Sequence, residues 1–171
     1  MLDGLHCICF LDIGPSALTD LASDMKENAM TISGGCLCEK VKYECKEEVG
    51  GGHCHCTDCR KASGTGHGSH MIVPEAAFTI SGDVKFFDKP ADSGNLVRRG
   101  FCPNCGSAIY STNSGMPGMV FVRASSLDNP DDFKPQMRVY TDRAASWDHM
   151  DTSLPGFATM PSRQDMPDSI R

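Results

Sequence analysis

Three cysteines fall within six residues of one another, at Cys54, Cys56 and Cys59. A CxC pair followed directly by CxxC lets three sulfurs converge on one cation while the backbone makes a single tight turn. Zn²⁺ is the expected cation, because it accepts thiolates at about 2.3 Å in tetrahedral geometry and has no redox chemistry of its own. Three protein ligands leave one coordination position free, which is the arrangement of catalytic rather than structural zinc sites.

Two further cysteine pairs flank this motif, Cys36 with Cys38 and Cys102 with Cys105. Together they could supply the four sulfurs of a closed structural zinc site. Gly106 follows the second CxxC and permits the left-handed turn that aims backbone N–H groups at the sulfurs. A redox role for this CxxC would require a βαβ context, which the sequence lacks. The pattern therefore favours metal binding.

Cysteine usage also indicates the compartment. Ten cysteines in 171 residues are about 6%, below the roughly 8–10% typical of disulfide scaffolds. Cysteines in CxC and CxxC runs can rarely pair with each other without strain. The sequence therefore predicts a reducing, cytoplasmic environment.

Charge and hydropathy disfavour several classes of partner. The formal net charge is −6, which counts against binding to nucleic acid or to an anionic membrane. No apolar run reaches the length of about 18 residues that a membrane-spanning helix needs. The first residues carry no basic region, so we also expect no secretory signal.

The segment pattern predicts one mainly β domain over residues 31–150, because short alternating runs are separated by Gly, Pro and Asn. Residues 1–30 are expected to be an extension that includes a short amphipathic helix, and residues 151–171 a loose tail. Gly50-Gly51-Gly52 is expected to be a flexible approach to the central motif. Phe78, Ile80, Phe86 and Phe87 are expected to lie in the core.

Three segments resemble the glutathione-dependent formaldehyde-activating enzyme family, also called the centromere protein V/Gfa domain. They are Gly34 to Cys38, Cys54 to Gly64 and Phe101 to Ser107. Residues 127–130, 133–135 and 140–142, together with Trp147, are similar to the C-terminal part of that family. The resemblance covers roughly residues 31–150 and includes all three cysteine motifs in order.

The resemblance implies a Mss4-like fold, in which small coiled β-sheets are held together by zinc. It assigns two Zn²⁺ ions per chain. Carried over by motif, the structural zinc would be held by Cys36, Cys38, Cys102 and Cys105, and the catalytic zinc by Cys54, Cys56 and Cys59. The implied reaction is that of a carbon–sulfur lyase, which joins glutathione and formaldehyde as S-hydroxymethylglutathione. The partners would thus be a small thiol and an aldehyde, or their adduct.

Residues beside the central motif have candidate roles. Arg60 and Lys61 could bind the carboxylates of glutathione, or could be solvated charges. His53 and His55 could complete the metal site or shuttle protons, although a histidine between two ligands more often points away from the metal. Asp58 and Ser63 are expected to cap the local turn rather than take part in chemistry. Three other histidines, His67, His70 and His149, belong to no motif and have no predicted role.

Two other function classes remain open from the residues alone. One is a different zinc-dependent lyase or isomerase on the same scaffold, since a fold does not determine a reaction. The other is a non-catalytic zinc-binding interaction module. A version that binds chromatin or microtubules should carry a basic N-terminal region, whereas residues 1–35 contain one lysine and five acidic residues.

Overall fold

A computed structural model of the chain describes residues 31–168. The predicted N-terminal extension and its amphipathic helix lie outside the described residues. The described part is mainly β, as predicted, with eleven strands and one α-helix. In chain order these are β1 (Ile32–Gly35), β2 (Lys42–Cys45), β3 (Gly50–Cys54), α1 (Thr57–Ser63), β4 (Gly68–Pro74), β5 (Phe78–Ser81), β6 (Lys85–Pro90), β7 (Leu96–Phe101), β8 (Ala108–Asn113), β9 (Met119–Arg123), β10 (Met137–Val139) and β11 (Gly156–Phe157).

Short 3₁₀ turns join several of these elements. Within residues 31–168 they are Glu75–Ala77, Ala124–Ser126, Pro130–Asp132, Thr141–Arg143 and Arg163–Asp165. None of the helical segments in this range is long and apolar enough to cross a bilayer.

The strands form two sheets. The smaller has the order β1-β2-β5, and the larger has the order β11-β10-β3-β4-β9-β8-β7-β6. Most neighbours are antiparallel, but β10 runs parallel to both β3 and β11. The parallel pairing matters for the site, because it places Val139 opposite Cys54.

The core lies between the two sheets and follows the alternation of the strands. Tyr43 and Cys45 point inward from β2, and Val120 and Val122 from β9. Phe78 packs against this core, as predicted, whereas Ile80 is 36% exposed. The expectation that Phe86 and Phe87 are core residues is also wrong: they are 40% and 58% exposed. Both lie on β6, the edge strand of the larger sheet, where alternation alone does not ensure that a second layer covers the side chains.

The three glycines before the central motif are not a flexible approach but the strand β3, in the interior of the larger sheet. A Cβ atom at Gly51 would lie 2.3 Å from the carbonyl oxygen of His70, and one at Gly52 would lie 2.5 Å from that of Met137. Glycine therefore allows the neighbouring strands to approach closely. The strand ends at Cys54 and so fixes where the cysteine motif begins.

The short helix α1 contains the last cysteine of the motif and ends at a glycine. Gly64 adopts a left-handed conformation with φ of 73° and donates its backbone N–H to the carbonyl of Arg60 at 3.2 Å. Ser63 donates its hydroxyl to the carbonyl of His67 at 2.7 Å, which holds the loop that leads into β4.

Part of the segment that the sequence predicts to be a loose tail, residues 154–157, is attached to the larger sheet. Gly156–Phe157 pair with β10, and the backbone N–H of Arg138 donates to the carbonyl of Pro155 at 2.8 Å. The Arg138 guanidinium also donates to the carbonyl of Leu154. This segment is held by hydrogen bonds of the backbone and of Arg138. Hydrogen bonds of this kind do not require apolar residues at regular spacing, so the sequence does not predict the attachment.

Candidate metal centres

The first cluster contains four cysteines from two turns. Cys36 and Cys38 lie between β1 and β2, and Cys102 and Cys105 between β7 and β8; all four sulfurs are within 4.8 Å of one another. The Sγ atoms of Cys36 and Cys38 are 3.5 Å apart, and those of Cys38 and Cys102 are 3.7 Å apart. Zinc–sulfur bonds of about 2.3 Å in a tetrahedron place the sulfurs about 3.8 Å apart. The donor set therefore fits a tetrahedral zinc ion.

Hydrogen bonds to the sulfurs support this fit. The backbone N–H of Val41 donates to Cys36 Sγ at 3.2 Å, and the Ser107 hydroxyl lies 3.3 Å from Cys105 Sγ. The hydrogen bonds made by Ser107 lower the pKa of the Cys105 thiol to about 5. Donors of this kind stabilise thiolates, which are the metal-binding form of cysteine.

The second cluster contains Cys54, Cys56 and Cys59, whose sulfurs also lie within 4.8 Å of one another. Cys54 ends β3, Cys56 is the N-cap of α1, and Cys59 lies in the first turn of that helix, where its N–H donates to Cys56 Sγ at 3.3 Å. Hydrogen bonds from the Cys54 and Cys59 thiols lower the pKa of Cys56. The hydrogen bonds that Cys54 makes with Cys56 and Cys59 raise the pKa of the Cys54 thiol. Within the described residues no fourth sulfur joins this group.

A buried arginine lies beside the three-cysteine cluster. Arg123 is 3% exposed and its Nη1 lies 3.2 Å from Nε2 of His70. A Cβ atom at Gly68 would lie 2.7 Å from that Nη1, 2.8 Å from the His70 nitrogen and 3.1 Å from Cys59 Cβ. These side chains therefore converge around one glycine. Within residues 31–168, no carboxylate forms an ion pair with Arg123.

Electrostatics couples Arg123 to the thiols. Burial lowers the pKa of Arg123, and the charge of Cys59 opposes that shift. Burial and the charge of Arg123 lower the pKa of His70 to about 3, so this imidazole is neutral near pH 7 and accepts from the guanidinium. The sequence reasoning missed Arg123. The available signal was a charged residue directly after the apolar run 119–122.

Tyr140 also lies near the cluster. It follows β10 directly and has φ of 58° and ψ of 40°, a left-handed conformation that is unusual for a bulky residue. Burial, followed by the charges of Cys54 and Cys56, raises the pKa of its hydroxyl. Strained backbone of this kind tends to occur at functional sites.

The two cations that the sequence predicts to bind glutathione carboxylates follow Cys59 on α1. Arg60 and Lys61 occupy the last turn of that helix, where Arg60 is half-buried and Lys61 is exposed. Asp58 does not cap the turn; its carboxylate pairs with Lys89 and lies 3.8 Å from Arg99. The N-cap position belongs to Cys56, because its sulfur accepts the Cys59 N–H.

Two clefts meet beside the helix. The larger, with a volume of about 1010 Å³, lies along β1 and β2 and reaches the end of α1 at Ala62–Gly64. The smaller, of about 220 Å³, is bounded by Phe87, Arg99 and Tyr110. Ala62 and Arg123 line both clefts. Cys54, Cys56 and Cys59 are not among the residues that line either cleft, so in the described part of the chain both clefts approach the second cluster through Arg123 and α1.

The histidine of the CHC motif does not join the cysteines. His55 is grouped with His67 and Asp148, whose donor atoms lie within 4.8 Å of one another. His53 hydrogen-bonds to the Ser69 hydroxyl at 2.9 Å through Nδ1. The expectation that His55 points away from the three cysteines therefore agrees with this grouping.

Comparison with known proteins identifies the family. A sequence model described as glutathione-dependent formaldehyde-activating enzyme matches residues 31–143. The chain belongs to this family. No curated protein matches it. A crystal structure of a Rhodobacter sphaeroides protein superimposes with a TM-score of 0.48 at 19% identity, covering 58% of this chain and 93% of the other.

Membership of the glutathione-dependent formaldehyde-activating family confirms the resemblance found in the sequence. It supports enzymatic function, at the level of the family, in the chemistry of formaldehyde and glutathione. The cysteine clusters of the β fold could each bind a metal ion, in agreement with the Mss4-like, zinc-held fold class that was predicted.

Proposed function

We propose that the chain is a zinc-dependent carbon–sulfur lyase-type enzyme that acts on glutathione adducts, such as S-hydroxymethylglutathione. Cys54, Cys56 and Cys59 would hold the catalytic zinc, and Cys36, Cys38, Cys102 and Cys105 the structural one. The observation that carries the proposal is the contrast between a group of four sulfurs and a group of three. Four thiolates saturate tetrahedral zinc, whereas three leave a position for a substrate.

A zinc ion held by three thiolates would supply an open position at which an incoming thiol loses its proton near neutral pH. The ion and its three ligands would carry a formal charge of −1, and a bound substrate thiolate would make this −2. Arg123 is the buried cation beside the cluster. Its role would be to offset this charge and so favour the thiolate form of the substrate.

The remaining requirement of the reaction is to position the substrate sulfur next to formaldehyde. The substrate sulfur attacks the carbonyl carbon of formaldehyde, the carbon–oxygen π bond breaks, and the oxygen takes up a proton to become the hydroxyl of the adduct. The reverse reaction cleaves the carbon–sulfur bond and returns the thiol. The Tyr140 hydroxyl, close enough for the cysteine charges to raise its pKa, is our candidate for the group that hydrogen-bonds to this oxygen.

The rest of glutathione would occupy the larger cleft. Its lining combines backbone of β1 with the end of α1, and Arg60 and Lys61 lie on the same last helical turn. We keep the sequence prediction that these two cations bind glutathione carboxylates. Both are outside the three-cysteine cluster, so their contribution would be to affinity rather than to the chemical step.

A cobalt titration tests the proposal. Substitution of Co²⁺ for zinc makes thiolate ligation visible as sulfur-to-cobalt charge-transfer absorption. We expect glutathione to strengthen this band in the full chain, while S-methylglutathione, which has no ionisable thiol, leaves it unchanged. Cys56→Ser is the matched variant; it should stay soluble, contain one metal ion fewer and lose the response.

Three results would contradict the proposal. Equal responses to both compounds, or none to either, would support a non-catalytic zinc-binding module. A response to glutathione without faster formation of the formaldehyde adduct would support a different lyase or isomerase on this scaffold.

A further inference from the structure

A second constellation of metal-ligand side chains lies outside the cysteine clusters. The Asp148 Oδ2 atom is 2.9 Å from His67 Nδ1 and 3.4 Å from His55 Nδ1. All three donor atoms lie within 4.8 Å of one another. The residues are far apart in sequence, so only the fold brings them together. Two imidazoles and one carboxylate form a donor set that binds zinc and related divalent ions and leaves open positions.

The His55 ring lacks a hydrogen-bond partner within residues 31–168. It is 0% exposed, and neither Nδ1 nor Nε2 has a hydrogen-bond partner among the described residues. Buried polar atoms of this kind are rare, because an unpaired group loses its hydration without compensation. The Nδ1 atom approaches the Asp148 oxygen without forming a hydrogen bond. A cation between these atoms would satisfy the imidazole.

The donor distances suit a cation. Bonds of about 2.0–2.1 Å to histidine nitrogen and carboxylate oxygen, at angles of about 90–110°, place neighbouring donors about 2.9–3.4 Å apart. The two distances from Asp148 fall in this range. The hydrogen bond between His67 and Asp148 alone would explain the shorter distance, but it leaves the His55 contact unexplained.

The surroundings are shaped around the carboxylate. A Cβ atom at Gly66 would lie 2.3 Å from Asp148 Oδ2, so only glycine lets that side chain enter. The Asp148 and His67 side chains are 10% and 22% exposed, which leaves a route for an ion. The positive charge of Arg138 contributes to lowering the pKa of His55. The Arg138 guanidinium itself donates to the carbonyl of Leu154.

The geometry points to a third metal site: we propose that His55, His67 and Asp148 bind a divalent transition-metal ion, with Zn²⁺ as the first probe. Successive side chains of extended backbone point to opposite sides. The CHC motif would thus direct Cys54 and Cys56 to one metal ion and His55 to another. The bound ion would also link this motif to the segment around Asp148. The proposal does not depend on the glutathione reaction.

Metal counting on the full chain tests the site. The wild type and the variants His67→Ala and Asp148→Asn are equilibrated with excess Zn²⁺, passed through a weak chelator and weighed by native mass spectrometry. We expect each variant to hold one ion fewer than the wild type. His149→Ala is the matched control, since this exposed histidine lies next to Asp148 but outside the group, and it should hold the wild-type number.

Cobalt identifies which ion is lost. The third site has no sulfur ligand, so the Co²⁺ lost in Asp148→Asn should remove d–d absorption and leave the sulfur charge-transfer bands at wild-type intensity. The preserved bands also show that the variant is folded. A wild type that binds no more than two ions, or an Asp148→Asn variant that keeps the wild-type number, would overturn the proposal.

Discussion

Cys38→Ser should cost the protein much of its stability through loss of the structural metal. Cys38 is preferable to Cys102 for this test, because Cys102 is fully buried in the hydrophobic core and its replacement would also disturb packing. Cys38 is only half-buried. Serine keeps the size of the side chain and replaces the thiolate by a hydroxyl, which is a poor zinc ligand.

The magnitude follows from the length of chain that the metal closes. Cys38 and Cys102 are 64 residues apart in sequence. The loop-closure relation for a cross-link across about 64 residues gives about 4 kcal/mol at 25 °C. Direct zinc–sulfur bonding adds to this value, so it is a lower limit for complete loss of the ion. For a domain of this size, a loss of about 4 kcal/mol lowers Tm by about 10 °C or more.

The assay combines thermal unfolding, followed by circular dichroism, with zinc content measured on the same samples. Cys45→Ser is the control, because this buried cysteine belongs to neither cluster. It should keep the wild-type zinc content, while Cys38→Ser loses about one ion and melts earlier. If Cys38→Ser keeps both the zinc and the Tm of the wild type, the four-cysteine assignment is wrong.

Three further predictions follow from individual contacts. Arg123→Met should weaken glutathione binding to the cobalt protein by about 10–100-fold, which is the effect of removing a supporting group at a metal site. Arg123→Lys keeps the positive charge and should bind glutathione more tightly than Arg123→Met. Equal glutathione affinity of the two variants would exclude the charge argument. Gly34→Ala should lower the free energy of unfolding by about 2–3 kcal/mol, because its Cβ atom would lie 2.3 Å from the backbone oxygen of Ser126. Gly94 has φ of 82° and nothing within 4 Å of the position of a Cβ atom, so Gly94→Ala should cost only about 1 kcal/mol. Similar losses for the two variants in denaturant titrations would refute the steric explanation. Burial, and then the charge of Glu48, raises the pKa of Cys45 to about 11, so the unfolded chain loses this proton first and the free energy of unfolding falls as pH rises from about 9 to 11. Cys45→Ala should remove about 3 kcal/mol of that fall. Urea midpoints that change with pH by the same slope in both proteins would contradict the shift.

The sequence by itself determined the features that depend on nearby residues. The spacing of Cys54, Cys56 and Cys59 requires their sulfurs to meet, since one short turn joins them. The helix that ends at Gly64 and the buried strand Met119–Arg123 were likewise predictable, because backbone conformation and alternation act over a few residues. The motif order was sufficient to recognise the family.

Only the tertiary structure decided which distant groups share a site. Arg123 reaches the second cluster because β9 pairs with β4, and Asp148 meets His67 across 81 residues. The exposure of Phe87 depends on the place of β6 at the edge of the sheet. Hydrophobic periodicity records which face of a strand is buried, but it does not record which strand lies beside it. Strand order and the parallel pairing of β3 with β10 therefore set the surroundings of the cysteines.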